Sequence, residues 1–119
     1  MFPFALTYNF INLDCQDALG MESGAISVEQ LSASSTYSGF RVTEGRLHSS
    51  RGWAAGSSDA NQWFQVDLRS PYIKVTRVAT QGRNVGNLQY VRKYKLQYSD
   101  NGVTFHYYKE RGQSKIKVK

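Results

Sequence analysis

The groups from which this chain could build a reactive or metal centre are two histidines, one cysteine and nine acidic residues, and their spacing builds none. His48 and His106 stand far apart and no His/Cys cluster flanks either, so the donor set of a zinc site is missing. Asp59 lies in a loop with no second carboxylate near it in sequence, short of the oxygen cage that calcium requires. Covalent catalysis needs a nucleophile, an adjacent base and a group that orients the base. The chain contains no Gly-x-Ser-x-Gly turn, no His-Glu-x-x-His and no phosphate-binding glycine loop. The sequence therefore predicts no catalytic residue, no metal and no cofactor.

A second chemistry is better represented. Tyr37, Phe40 and Arg41 fall within one Gly/Ser-rich stretch, and Arg83, Leu88 and Tyr90 fall within or beside another. Apolar side chains presented next to arginines on loops suit binding rather than reaction, because burial of the apolar tips and charge-assisted contacts from the guanidinium groups act together. These six residues are the candidate ligand contacts.

Charge supports an anionic partner and divides unevenly. Residues 1–40 carry four acids and no Lys or Arg, residues 41–68 balance three against three, and residues 69–119 carry twelve bases against two acids, for a net charge of +6. Such a field attracts phospholipid headgroups, sulfated glycans, acidic proteins or nucleic acid. The basic end, with Arg92, Lys93 and Lys95 interleaved with Tyr90 and Tyr94, offers an alternative face for a heparin-like glycan or nucleic acid. Alternation argues against nucleic acid there, since it turns Tyr94 and Tyr98 to the core and the lysines to water.

The elements that must position these residues read as strands. At 119 residues the chain has room for one domain, and 13% aromatic content with two prolines and no long amphipathic run leans towards β-structure. In Trp63 to Leu68, Phe64, Val66 and Leu68 share a face. Tyr94, Leu96 and Tyr98 repeat the pattern, and Ser99-Asp100-Asn101-Gly102 supplies a turn into Val103 to Tyr108. Tyr72 to Thr80 reads as a paired strand, and Ala25 to Ser34 as the opening of the sheet. Ser34 to Gly45, Ser49 to Asn61 and Gln81 to Gln89 read as loops, and Trp53 and Trp63 as core or wall residues. No run of 18 apolar residues occurs, and the opening Met1 to Leu6 lacks the flanks of a signal peptide.

Taken in order, Cys15-Gln16-Asp17-Ala18-Leu19-Gly20-Met21-Glu22-Ser23-Gly24, Gly45-Arg46-Leu47, Gly52-Trp53, Gln62-Trp63-Phe64-Gln65-Val66-Asp67-Leu68, Val78-Ala79-Thr80-Gln81-Gly82-Arg83 and Tyr94-Lys95-Leu96-Gln97-Tyr98-Ser99-Asp100-Asn101-Gly102 resemble the coagulation factor V/VIII type C, or discoidin, domain. The resemblance runs from Cys15 to Lys119 and leaves residues 1–14 as a leader of unassigned role. It implies an all-β, distorted jelly-roll β-sandwich of the galactose-binding-domain-like kind, whose loops at one end form ligand-facing spikes. It also implies an extracellular or cell-surface binding module within a larger protein, with an anionic phospholipid, a collagen, a glycan or a cell-surface protein as ligand. Residues 34–45 and 81–90 match the spikes. The family closes its sandwich with further strands and a terminal cysteine that pairs with the first. Cys15 has no such partner here, so the resemblance implies a sandwich lacking its last strands, with marginal stability or self-association as the expectation.

Overall fold

The computed structural model describes residues 4–8, 17–70, 72–83, 86, 89–110, 113–114 and 116–118. Among these, the regular elements are strands and two short 3-10 helices. The strands are β1 (Phe4–Tyr8), β2 (Leu31–Ala33), β3 (Phe64–Val66), β4 (Val75–Thr80), β5 (Lys93–Lys95), β6 (Gln97–Tyr98), β7 (His106–Tyr107), β8 (Lys109–Glu110), β9 (Gln113–Ser114) and β10 (Ile116–Val118). They pair antiparallel in twos, β1 with β4, β2 with β3, β5 with β10, β6 with β7 and β8 with β9, and do not close into a barrel. The all-β expectation holds.

The core forms where the alternation of residues 63–68 meets β2. Register sets Leu31 opposite Val66 and Ala33 opposite Phe64, so the apolar face of β3 lies against a second apolar strand. Met21, Ile26 and Leu31 are buried, with Leu19, Val42, Phe64, Val66 and Leu68 packed around them. Each such burial is worth roughly 1.5–3 kcal/mol. The turn that delivers Met21 and Ile26 is closed by two bonds to one carbonyl, Gly24 N–H and Ile26 N–H both donating to Gly20 O at 3.1 Å.

Within Ala25 to Ser34 the strand is preceded by a 3-10 turn, Val28–Gln30, because Gln30 is drawn into local bonds. Its side-chain oxygen accepts from Ser27 N–H at 3.1 Å, while its amide donates to Asp67 O at 2.7 Å and stitches the turn to the end of β3. Strand β4 finds its partner in β1, inside the segment read as a leader, with Phe4 opposite Thr80 and a register shift between Thr7 and Tyr8. Cys15 and the boundary set at residues 14–15 lie outside the described residues.

The expected hairpin is present, with Gln97 opposite Tyr107 and Tyr98 opposite His106. Its turn works as the composition requires. Asn101 Oδ1 accepts from Val103 N–H and Thr104 N–H at 2.9 Å each, Ser99 Oγ accepts from Gly102 N–H at 2.9 Å, and Gly102 takes φ +72°.

Two aromatic expectations are corrected. Trp53 is buried at 3%, but Trp63 is 49% exposed, because the period that turns Phe64 inward turns its neighbour outward. Tyr98 is 58% exposed rather than core-facing: the strand is interrupted at Leu96, so the alternation of β5 does not carry into β6, and Tyr98 instead packs its ring on His106 across the hairpin, 5.6 Å between centroids.

Candidate binding site at the loops

Residues 34–45 leave β2 and are held by backbone and side-chain bonds to residues 53–63. Ser34 N–H donates to Trp63 O at 3.0 Å, Tyr37 N–H to Ala54 O at 2.8 Å, and Ala54 N–H back to Phe40 O at 3.2 Å. Between those anchors Tyr37 to Phe40 makes a tight turn, Phe40 N–H donating to Tyr37 O at 2.9 Å. Gly39, third in the turn, has φ +82°, as a type II turn demands, and that geometry brings Tyr37 and Phe40 side by side with ring centroids 5.9 Å apart.

The base of the loop is anchored in the core. Trp53 Nε1 donates to Ser35 O at 3.0 Å, and its ring tilts against Phe64 at 5.4 Å. Ser34 and Ser35 hydroxyls both donate to Gln62 Oε1, at 2.8 and 2.5 Å, and Gln62 Nε2 donates to Asp59 Oδ1 at 2.9 Å. The Gln62 amide, followed by Asn61 N–H, holds the Asp59 carboxyl below its ordinary value. Asp59 is thus a brace for the 49–61 loop. Among the described residues no group of three His, Cys, Asp or Glu gathers where a metal ion could be held.

The 81–90 loop is pinched at its neck by a bridge between Arg83 and Gln89, with Arg83 N–H donating to Gln89 O at 2.7 Å. The Arg83 guanidinium lies over the Phe40 ring, 5.3 Å from its centroid, so the two loops touch at this point. The structure therefore brings three predicted residues, Tyr37, Phe40 and Arg83, into one cluster. Tyr37 is 58% exposed and Phe40 half-buried beneath it. Arg41 is exposed just past the turn, and Tyr90 is 55% exposed at the foot of the second loop, packed over Gly82. Leu88 lies outside the described residues. Sequence reasoning passed over Arg51, whose Nη1 donates to Gly39 O at 3.3 Å and adds an exposed guanidinium to the same turn. Its only signal in the sequence is a cation inside the Ser/Gly-rich 49–61 stretch.

Away from these loops, Arg92, Lys93 and Lys95 are exposed, and Lys95 Nζ sits 4.9 Å from the centroid of the Tyr107 ring. Tyr98, Phe105, His106, Tyr107 and Tyr108 line a shallow groove along the hairpin.

The sequence profile of the F5/8 type C domain matches residues 30–119. The chain belongs to the F5/8 type C, or discoidin, domain family. It is 38% identical over 113 residues to lactadherin of Rattus norvegicus, an alignment covering 86% of this chain and 26% of lactadherin. Human neuropilin-2 is 42% identical over 111 residues, covering 88% of this chain and 12% of neuropilin-2. Coagulation factor V of Sus scrofa is 36% identical over 116 residues, covering 87% and 5%. This F5/8 type C domain thus spans about a quarter of the length of lactadherin and smaller parts of the others. The family fold is a β-sandwich, in agreement with the strand pairs described above.

Proposed function

We propose that this F5/8 type C domain is a non-catalytic binding module of the cell exterior or cell surface, and that it works as part of a larger protein. It meets its ligand through the rim formed by Tyr37, Phe40, Arg41, Arg83 and Tyr90, with Leu88 assigned to the same rim from the sequence. The cluster in which Phe40 lies beside Tyr37 and under the Arg83 guanidinium is the observation that carries this reading. It sets an exposed apolar tip beside the exposed Arg41 and Arg51, the combination that suits an anionic phospholipid surface, with collagen, a glycan or a cell-surface protein as the other ligand classes. An apolar tip entering an interface contributes roughly 1.5–3 kcal/mol, and a guanidinium on phosphate, sulfate or carboxylate adds a charge-assisted contact. Two such anchors give modest affinity, so firm adhesion calls for several domains held side by side.

A second reading places a heparin-like glycan on the basic C-terminal face, and the exposed Arg92, Lys93 and Lys95 on and beside β5 favour it. Nucleic acid is disfavoured there because Lys95 already covers a face of the Tyr107 ring on which a base would stack. The test compares Tyr37→Ala/Phe40→Ala with Lys93→Glu/Lys95→Glu on phosphatidylserine-containing vesicles, fibrillar collagen and heparin oligosaccharide. Loss of binding in the first variant with retention in the second supports the rim; the reverse pattern assigns the ligand to the basic face at β5.

A further inference from the structure

We propose that Arg83 is a positioning residue that locks the two rim loops into one surface, rather than a cation presented to the ligand. The inference rests on the reading of that rim as the binding surface, and four features of Arg83 carry it. Its guanidinium faces the Phe40 ring at 5.3 Å. Nη1 donates to Gln89 Oε1 at 3.3 Å, across the neck of its own loop. Nη2 lies against the backbone of Gly86, where an added Cβ would stand 3.0 Å from it. Nε is buried, with no acceptor among the described residues.

A ligand-binding arginine presents its fork to solvent. Here the fork, half-buried at the rim, is engaged by the protein's own groups, one arm on the exposed Gln89 side chain, one against Gly86, and the flat face on Phe40. Because Phe40 in turn packs on Tyr37, the path from Gln89 through Arg83 to Phe40 sets where the exposed tip of the first loop stands relative to the second. Lysine cannot reproduce this. It keeps the charge but lacks the planar fork that stacks on the ring while bonding sideways. Gly86 fits the same account: its φ of +71° disfavours a side chain, and an added Cβ would make the guanidinium give by a few tenths of an ångström.

The test uses the full chain and the variants Arg83→Lys and Arg83→Gln. It reads binding to phosphatidylserine/phosphatidylcholine vesicles across a salt series, and amide hydrogen exchange with Phe40 ring-proton shifts in the free protein. A positioning role predicts that lysine and glutamine lower affinity alike, by about two- to thirtyfold, the range expected for a lost cation–π contact. The salt slope stays at the wild-type value, and adding Phe40→Leu to Arg83→Gln costs no more than the worse single change. In the free protein both variants shift the Phe40 ring signals and speed exchange at residues 37–40, with the thermal midpoint held within a few degrees. Retention of binding by Arg83→Lys, with a flattened salt slope in Arg83→Gln, overturns the proposal in favour of direct anion contact. Unchanged ring shifts and exchange in the free variants overturn it whatever the binding result. If the free protein loosens as expected but wild-type chain binds no vesicle, the coupling stands and the assignment of the rim to binding falls.

Discussion

Replacing Gly45 with alanine tests whether the first rim loop is seated on the core. Gly45 is buried at the end of the 3-10 turn Val42–Gly45, and its backbone is not in the left-handed region, so an alanine there meets a packing problem alone. The added Cβ would stand 2.6 Å from Phe64 Cε2, 2.8 Å from Phe64 Cζ and 3.4 Å from Trp53 Cβ. Favourable carbon contacts lie near 3.5–4.0 Å, so the Phe64 ring must recoil by roughly 1 Å. It has little room, because Trp53 flanks it and Phe64 itself packs against the Met21, Ile26 and Leu31 cluster. Overpacking of this kind costs about 1–3 kcal/mol, and the loss of glycine freedom in the unfolded chain returns about 0.4–1 kcal/mol. The net expectation is a destabilisation centred at about 1.3 kcal/mol and at most about 2.6 kcal/mol, seen as a lower urea midpoint at unchanged slope in tryptophan fluorescence, and as a fall of roughly 4–8 °C in melting temperature per kcal/mol. A Gly45→Ala midpoint at or above wild type would refute the packing account and, with it, the seating of the loop.

Asp59 titrates below its ordinary 3.8, and Gln62→Ala, which removes the larger of its two stabilising contacts, raises that midpoint towards 3.8 in a carboxyl-carbon NMR titration. The Glu29 carboxyl is likewise held below its ordinary 4.5, first by a bond from its own backbone N–H and then by Ser27. A carboxyl whose folded value is depressed lends stability that is fully present above its unfolded value and is lost as the pH falls through the folded one. Both contributions therefore fade on acidification from about pH 4.5 to below 3.8, and urea midpoints measured across that interval fall in wild type and fall less in Gln62→Ala. The exposed Tyr98, Phe105, Tyr107 and Tyr108 form an aromatic patch on a two-stranded hairpin, so sedimentation velocity should show concentration-dependent association that Phe105→Ser/Tyr107→Ser weakens. A monomer at every concentration would contradict that.

Local pattern made much of this architecture legible. The alternation of Phe64, Val66 and Leu68 announced both strand β3 and its buried face, and Ser99 to Gly102 announced the hairpin turn, because each depends on residues adjacent in sequence. The site was legible as composition, an aromatic and an arginine in each of two loops. Its geometry was not, since the meeting of Arg83 with Phe40 depends on long-range packing that no local pattern encodes. Trp63 misled because a large aromatic was weighed by its type when its place in the alternation already turned it outward. The partner of β4 was missed: Phe4 to Tyr8 lay in the segment read as a leader, and nothing local names the strand it joins.

Hydrogen–deuterium exchange of the full chain, with and without phosphatidylserine-containing vesicles, collagen or heparin oligosaccharide, tests the central claim most directly. The account predicts that whichever of these binds will slow exchange at residues 37–41 and 86–90 and leave residues 92–98 unchanged. Protection confined to residues 92–98, with the two loops untouched, would contradict it.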